Sequence, residues 1–260
     1  MIRIDLRDEG RADAAQLGVI PELSRADRDA AIATWKGRMV NETISSRVFA
    51  GLVPQMLRAG IQPRWIAPIA DAVVEELRHG RECAAVVHAL GGDPYAEIPT
   101  LAELPEHEDA PAVEAVMRNV MSISCLSETV AVALIGAERL RAGPETIRDA
   151  LGRILADEVR HARTGWDLIA NLAPEIDDEI RARLNRYLVV AFRHLVAHEL
   201  AHLPVGAAPS EQAAEVGVCD GDEARIIFFD TVHNVIIPRL EALGFAAQDA
   251  WSQAGDVAAA

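Results

Sequence analysis

One seven-residue pattern occurs twice in this chain. Glu75-Glu76-Leu77-Arg78-His79-Gly80-Arg81 and Asp157-Glu158-Val159-Arg160-His161-Ala162-Arg163 both read acid, Glu, aliphatic, Arg, His, small, Arg. Each copy follows a Glu-Thr pair, with Glu42-Thr43 lying 34 residues before Glu76 and Glu128-Thr129 lying 30 residues before Glu158. The chain therefore reads as an internally duplicated helical hairpin. A Glu-x-x-His on an α-helix sets both side chains on one face about one turn apart, so both can reach one metal ion. A single carboxylate from the antiparallel partner helix completes a half-site. Two half-sites facing inward would gather Glu42, Glu76, His79, Glu128, Glu158 and His161. Four buried carboxylates without a cation repel one another or take up protons, and two divalent ions resolve that conflict. Oxygen-rich ligation with two nitrogens suits iron or manganese better than zinc or copper(I).

The spacing of apolar residues places both motifs on long helices. From Ser24, an N-cap candidate, apolar positions recur at helical spacing through Ile32, Trp35, Met39, Phe49 and Leu52 to about Leu57, and Gly60 closes the segment. Pro63 opens a second helix through Ile69, Val73, Leu77 and Val86 to the Gly91-Gly92 stop. Residues 91–110 are rich in proline and acids and form a loop long enough to cross the end of a bundle. A third helix is expected from about 112 to 142. Gly143-Pro144-Glu145 turns tightly into a fourth, about 144–171, which ends before Pro174. Further helices are expected near 177–203, 222–242 and 246–253, with a break at 204–210. No segment shows sustained strand alternation, so the expected class is all-α. Residues 1–22 read as an N-terminal arm lying over the domain or partly disordered, 23–172 as the bundle, and 173–260 as accessory helices of the same domain.

Composition narrows the function classes. Aromatic residues are only 4%, and alanine runs are frequent, which favours helix over sheet. A net charge of −15 opposes binding to phosphate backbones, so no nucleic acid partner is expected. Cys83, Cys125 and Cys219 are odd in number and include no Cys-x-x-Cys, which points to reduced thiols and a cytoplasmic setting. No apolar run approaches the roughly 20 residues that span a bilayer, and the N-terminus lacks a signal-like apolar stretch, so no membrane association is expected.

Two hairpins joined by one crossover, carrying two Glu-x-x-His motifs and two single glutamates, resemble the ferritin-like di-iron carboxylate superfamily over roughly residues 25–171. The resemblance implies a ferritin-like four-helix bundle holding two iron ions, or a mixed manganese and iron pair. Glu42 and Glu128 look like the terminal carboxylates, Glu76 and Glu158 like the bridging ones, and His79 and His161 supply one imidazole per ion. Glu75 and Asp157 resemble the outer partners that hydrogen-bond the ligand histidines, plausibly crosswise between the halves. Met39, Phe49, Cys125 and Val132 are candidates to line a substrate pocket. Among such enzymes the spacing resembles aldehyde-deformylating oxygenases more than arylamine oxygenases, which carry another histidine where this chain has Ile154. The implied function is a di-iron oxygenase or oxidase that uses dioxygen, an external electron donor such as ferredoxin and a small organic substrate, in a chain that could form a homodimer. The alternative is a ferroxidase or peroxidase of the ferritin and rubrerythrin type, although the cysteine pairs that rubrerythrins add are missing.

Two other signals compete. His198-Glu199-Leu200-Ala201-His202 matches the His-Glu-x-x-His of zinc hydrolases, but no sheet accompanies it and no third ligand is evident. With His194 it forms an i, i+4, i+8 stripe, which reads as a surface or interhelical seam. Tyr95 and Tyr187, the only tyrosines, sit in neither motif, which argues against a tyrosyl radical.

Overall fold

The computed structural model describes residues 1–17, 20–203, 205–206 and 208–255. Positions 18–19, 204, 207 and 256–260, which fall in the expected arm, break and C-terminal segment, lie outside the described residues. The class is all-α. A four-residue strand β1 (Ile2–Asp5) and helix α1 (Arg7–Ala14) precede the first long helix α2 (Arg25–Arg58), which is followed by α3 (Pro63–Ala89). Strand β2 (Tyr95–Ile98) comes next, then α4 (Ala112–Val120), a π-helical turn (Met121–Ser127), α5 (Glu128–Arg141) and α6 (Glu145–Leu172). The remainder is α7 (Asp178–His202), α8 (Glu211–Glu215), α9 (Gly221–Thr231), a second π turn (Val232–Ile236), α10 (Ile237–Ala242) and α11 (Ala247–Gly255).

Local chemistry explains the long-helix boundaries. The Ser24 side chain accepts from the Asp27 amide at the start of α2, and Gly60, at φ 68°, takes the left-handed conformation that ends it. Asp177 caps α7 in the same way as Ser24, accepting from the Ile180 amide. Pro63 occupies the first turn of α3, where a missing N–H costs nothing. The helix pairs α2 with α3 and α5 with α6 pack side by side, α3 lies against α6, and α2 crosses α4. Gly165 permits the close approach of α6 to the π turn, since a Cβ there would lie 2.2 Å from that of Ser124.

The structure adds to or corrects the sequence expectations at three points. First, residues 1–17 of the expected arm lie over the domain and carry regular elements that were not expected: β1 pairs antiparallel with β2, with Ile2 opposite Ile98 and Asp5 opposite Tyr95. Four-residue strands are too short to display a period of two, and this pairing joins segments far apart in sequence. Helix α1 packs on α3 with Gly10 against the Ala84 carbonyl. Second, α8 falls between the expected break and the next expected helix, in a stretch given no element; its five residues carry no period, and its visible cue is the Ser210 cap. Third, the helical run Ala112–Arg141 contains an 18-residue window of mean hydropathy 1.8, so one helix is long and apolar enough to cross a membrane. An uninterrupted apolar run was the wrong test, because isolated serines and one glutamate barely lower the average. That window is 44% buried, and the helix carries Glu128 inward, as a core helix would.

The buried apolar residues form two groups. One contains Trp35, Met39, Cys83, Val87, Leu151 and Ile154; the other contains Phe49, Leu52, Ile69, Val120, Trp166 and much of α7 to α11. Along α2, α3 and α6 the changeover falls at Glu42, at Glu76 with His79, and at Glu158 with His161. These polar side chains form a layer between the two apolar groups.

Candidate metal centre

Four helices deliver the six expected ligands to this layer. Glu42 comes from α2, Glu76 and His79 from α3, Glu128 from the start of α5, and Glu158 and His161 from α6. Side-chain atoms of Glu42, Glu76, His79 and Glu158 all lie within 4.8 Å of one another, and so do those of Glu76, Glu128, Glu158 and His161. Glu76 and Glu158 belong to both sets. The small residue of each motif allows the close packing this needs: Gly80 rests on Thr43 and Glu42, at distances where the alanine of the other copy would also fit. The Glu-Thr pairs contribute through their threonines as well. Thr43 donates to the Met39 carbonyl at 2.9 Å, and Thr129 accepts from the Trp166 indole at 2.9 Å, tying α5 to α6.

The outer carboxylates sit crosswise. His79 Nε2 lies 2.9 Å from Asp157 of α6, and His161 Nε2 lies 2.8 Å from Glu75 of α3. A carboxylate accepts, so each Nε2 carries the proton and each Nδ1 faces the cluster. His79 Nδ1 is 3.3 Å from Glu158 and 3.5 Å from Glu42; His161 Nδ1 is 2.9 Å from Glu158 and 3.2 Å from Glu76. Arg160 ion-pairs with both Glu75 and Asp157, and Arg78 pairs with Asp157. These arginines are the functional residues that sequence reasoning left without a role. Their signal was present, since arginine occupies the same position in both repeats.

The electrostatics ask for positive charge inside the ring. Burial, with the facing Glu158 and Glu42, pushes Glu76 up to about 11. Burial and the nearby Glu158 and Glu76 likewise push Glu128 far above the carboxylate range. Glu158 moves the other way: burial raises it, but the close approach of His161, His79 and the Glu128 carboxyl outweighs that and holds it ionised. Burial opposes charge on His79, yet Glu158 and Glu42 lift it to about 11. Among the described residues no arginine or lysine ion-pairs with the six inward residues; Arg78 and Arg160 stop at the outer acids. Two buried atoms in the middle of the ring, Glu76 Oε1 and His79 Nδ1, lack any hydrogen-bond partner. An orphaned carboxylate oxygen and an orphaned imidazole nitrogen aimed at the same space are what a cation would satisfy. The buried Glu and His groups can therefore hold metal.

The other expected positions are placed as follows. Met39, Phe49 and Cys125 are completely buried, and Val132 is partly buried against the core. The Phe49 ring lies 5.2 Å from that of His161. Of two described cavities, one of about 410 Å³ lies on the outer face near Arg78, Arg81 and Arg153, and one of about 30 Å³ lies beside Cys219 and Glu223. Neither is lined by Met39, Phe49, Cys125 or Val132. Ile154 is a core residue at 1% exposure. Tyr187 donates to or accepts from Ser122 at 2.8 Å, in the π turn that precedes Glu128. The histidine stripe is exposed on α7, none of its members belongs to either ligand set, and no third ligand converges on it among the described residues.

Comparison with known proteins finds no matching family model and no matching curated protein.

Proposed function

We propose that this chain is a ferritin-like di-iron carboxylate oxygenase or oxidase, which uses dioxygen to oxidise a small organic substrate. The observation that carries the reading is that Glu76 and Glu158 are common to two ligand sets, each completed by one further Glu and one His. That donor set suits a paired site, in which Glu42, Glu76, His79 and Glu158 would hold one ion and Glu76, Glu128, Glu158 and His161 the other. Such a pair, when bound, supplies electrons for reducing dioxygen.

The chain's own residues have definable tasks. Asp157 and Glu75 hold the Nε2 protons of His79 and His161, so that both Nδ1 atoms stay turned inward. Arg160 and Arg78 hold those outer acids in place through ion pairs. Glu76 and Glu128 hold protons in the metal-free protein and release them on loading. Phe49 and the apolar groups on either side exclude bulk water. About 90 residues follow the fourth long helix, and α7 and α9 to α11 pack into the larger apolar group, a covering of the kind that shapes a small-molecule site. The proposed setting is cytoplasmic, with an external electron donor of the ferredoxin type.

A second reading, ferroxidase or peroxidase, draws on one observation. Met39, Phe49 and Cys125 are packed shut, leaving no described cavity along them for an organic substrate. Dioxygen consumption by the iron-loaded, reduced protein separates the two. Uptake stimulated by an amine, aldehyde or fatty acid supports the oxygenase; uptake that follows added Fe(II) alone supports iron oxidation. Elemental analysis tests the site itself. A Glu76→Ala/Glu158→Ala variant loses the paired ions, and full two-metal binding in that variant overturns the assignment.

A further inference from the structure

We propose that His198 and His202, on the exposed face of α7, form a second metal site of a different chemical kind, a two-imidazole chelate for a divalent transition ion. On a helix, residues four apart stand one above the other, so two histidines at that spacing can grip one ion from one side. Their rings approach to 4.7 Å between centroids, inclined at 52°. The proton positions favour binding. His202 Nδ1 lies 2.8 Å from the His198 carbonyl oxygen, and a carbonyl only accepts, so Nδ1 must carry the proton. The lone pair of neutral His202 is thereby left on Nε2. Donation from the far ring nitrogen to a carbonyl is also how protein imidazoles are oriented toward metals.

The surroundings leave room for an ion. Ala197 and Ala201, both exposed, are the small residues beside the pair, and all three histidines of the stripe are exposed. His194 is the weaker candidate partner, because its ring lies 6.2 Å from that of His198 and nearly parallel to it, at 7°, a stacked rather than converging arrangement. No third protein ligand converges among the described residues, which leaves the remaining coordination positions open. That separates the site from a hydrolytic zinc centre, which needs three protein ligands. It also separates it from the interior cluster. Nitrogen ligands favour copper(II), nickel(II) and zinc(II), whereas the carboxylate ring favours harder ions. The site is independent of the proposed oxygen chemistry.

Copper(II) titration of the full chain, free of any affinity tag, followed by electron paramagnetic resonance and calorimetry, tests the proposal. The expected result is one copper per chain with coupling to two imidazole nitrogens, retained in Glu76→Gln/Glu158→Gln and lost in His198→Ala/His202→Ala. Because the stripe is exposed, the double alanine variant keeps its helical circular dichroism and its two interior metals. Removing either imidazole forfeits the intramolecular advantage of the second ligand, weakening binding by roughly 100-fold or more. His194→Ala leaves the affinity within a few-fold. A two-nitrogen signal that persists without His198 and His202, or one that depends equally on His194, overturns the assignment, as does a wild-type chain that never shows it.

Discussion

An imidazole has one nitrogen to give to a metal only after the other has been committed, and here the commitment is made across the repeat. His79 of the first copy is held by Asp157 of the second, and His161 of the second by Glu75 of the first. The two holds differ in strength of support, because Asp157 is gripped by Arg78 and Arg160 whereas Glu75 has Arg160 alone. Replacing Asp157 with Asn keeps the shape but removes the charge that fixes the His79 ring. Metal affinity in Asp157→Asn is therefore expected to fall by about 10- to 100-fold, the usual cost of losing such a partner. Equilibrium dialysis with Mn(II) measures it, and unchanged affinity would show that His79 does not rely on Asp157. That the six inward residues converge was legible in the sequence, because a duplicated i, i+3 pattern with a Glu-Thr pair upstream survives in one dimension, whereas the crosswise place of Glu75 and Asp157 came only from the family resemblance. What could not be read was the pairing of Arg78 and Arg160, which depends on how α3 and α6 face each other.

At the scale of elements, legibility followed length. The boundaries of α2, α3, α6 and α7 were close to those expected because each is announced by a cap, a proline or a glycine and carries many turns of apolar period. β1, β2 and α8 are four or five residues long, and the π turns differ from α-helix by a single hydrogen-bond step that leaves no mark in composition. Helix α7 also carries an acid at odds with its place. Desolvation raises Glu199 to about 7, only partly offset by His202. An acid whose folded pKa lies above its unfolded value binds its proton more tightly when folded, so folding is favoured at low pH and the advantage fades as pH rises. The loss runs between about 4.5 and 7 and is complete above that window. Glu199→Gln is expected to be more stable than the parent at pH 8, by on the order of 2 kcal/mol, and to match it at pH 4.5. Urea unfolding at the two pH values decides this; an equal difference at both would mean that charge burial is not the cause.

The whole molecule is organised around a polar layer that divides its apolar interior. In the metal-free protein that layer is a liability, since it gathers four carboxylates, leaves Glu76 Oε1 and His79 Nδ1 without partners, and forces protons onto Glu76 and Glu128. Divalent ions bound only by the folded chain add stability by mass action, about 2.7 kcal/mol for each ion at a concentration 100 times its dissociation constant. For a chain of this size, loading with Fe(II) under anaerobic conditions, or with Mn(II), is expected to raise the melting temperature by roughly 5–10 °C, and a chelator to reverse the gain. The same ions should do little for Glu76→Gln/Glu158→Gln. That variant keeps the volume of the layer and replaces one carboxyl already neutral in the metal-free state and one held ionised by its neighbours, so it separates lost coordination from lost packing. Protons must leave Glu76 and Glu128 for metal to enter, so the gain in melting temperature shrinks as pH falls. A melting curve that responds equally to metal in the parent and the variant would place the stabilising ions outside this layer. The carboxylate ring would then be a buried proton-sharing cluster and not the centre of the fold's chemistry.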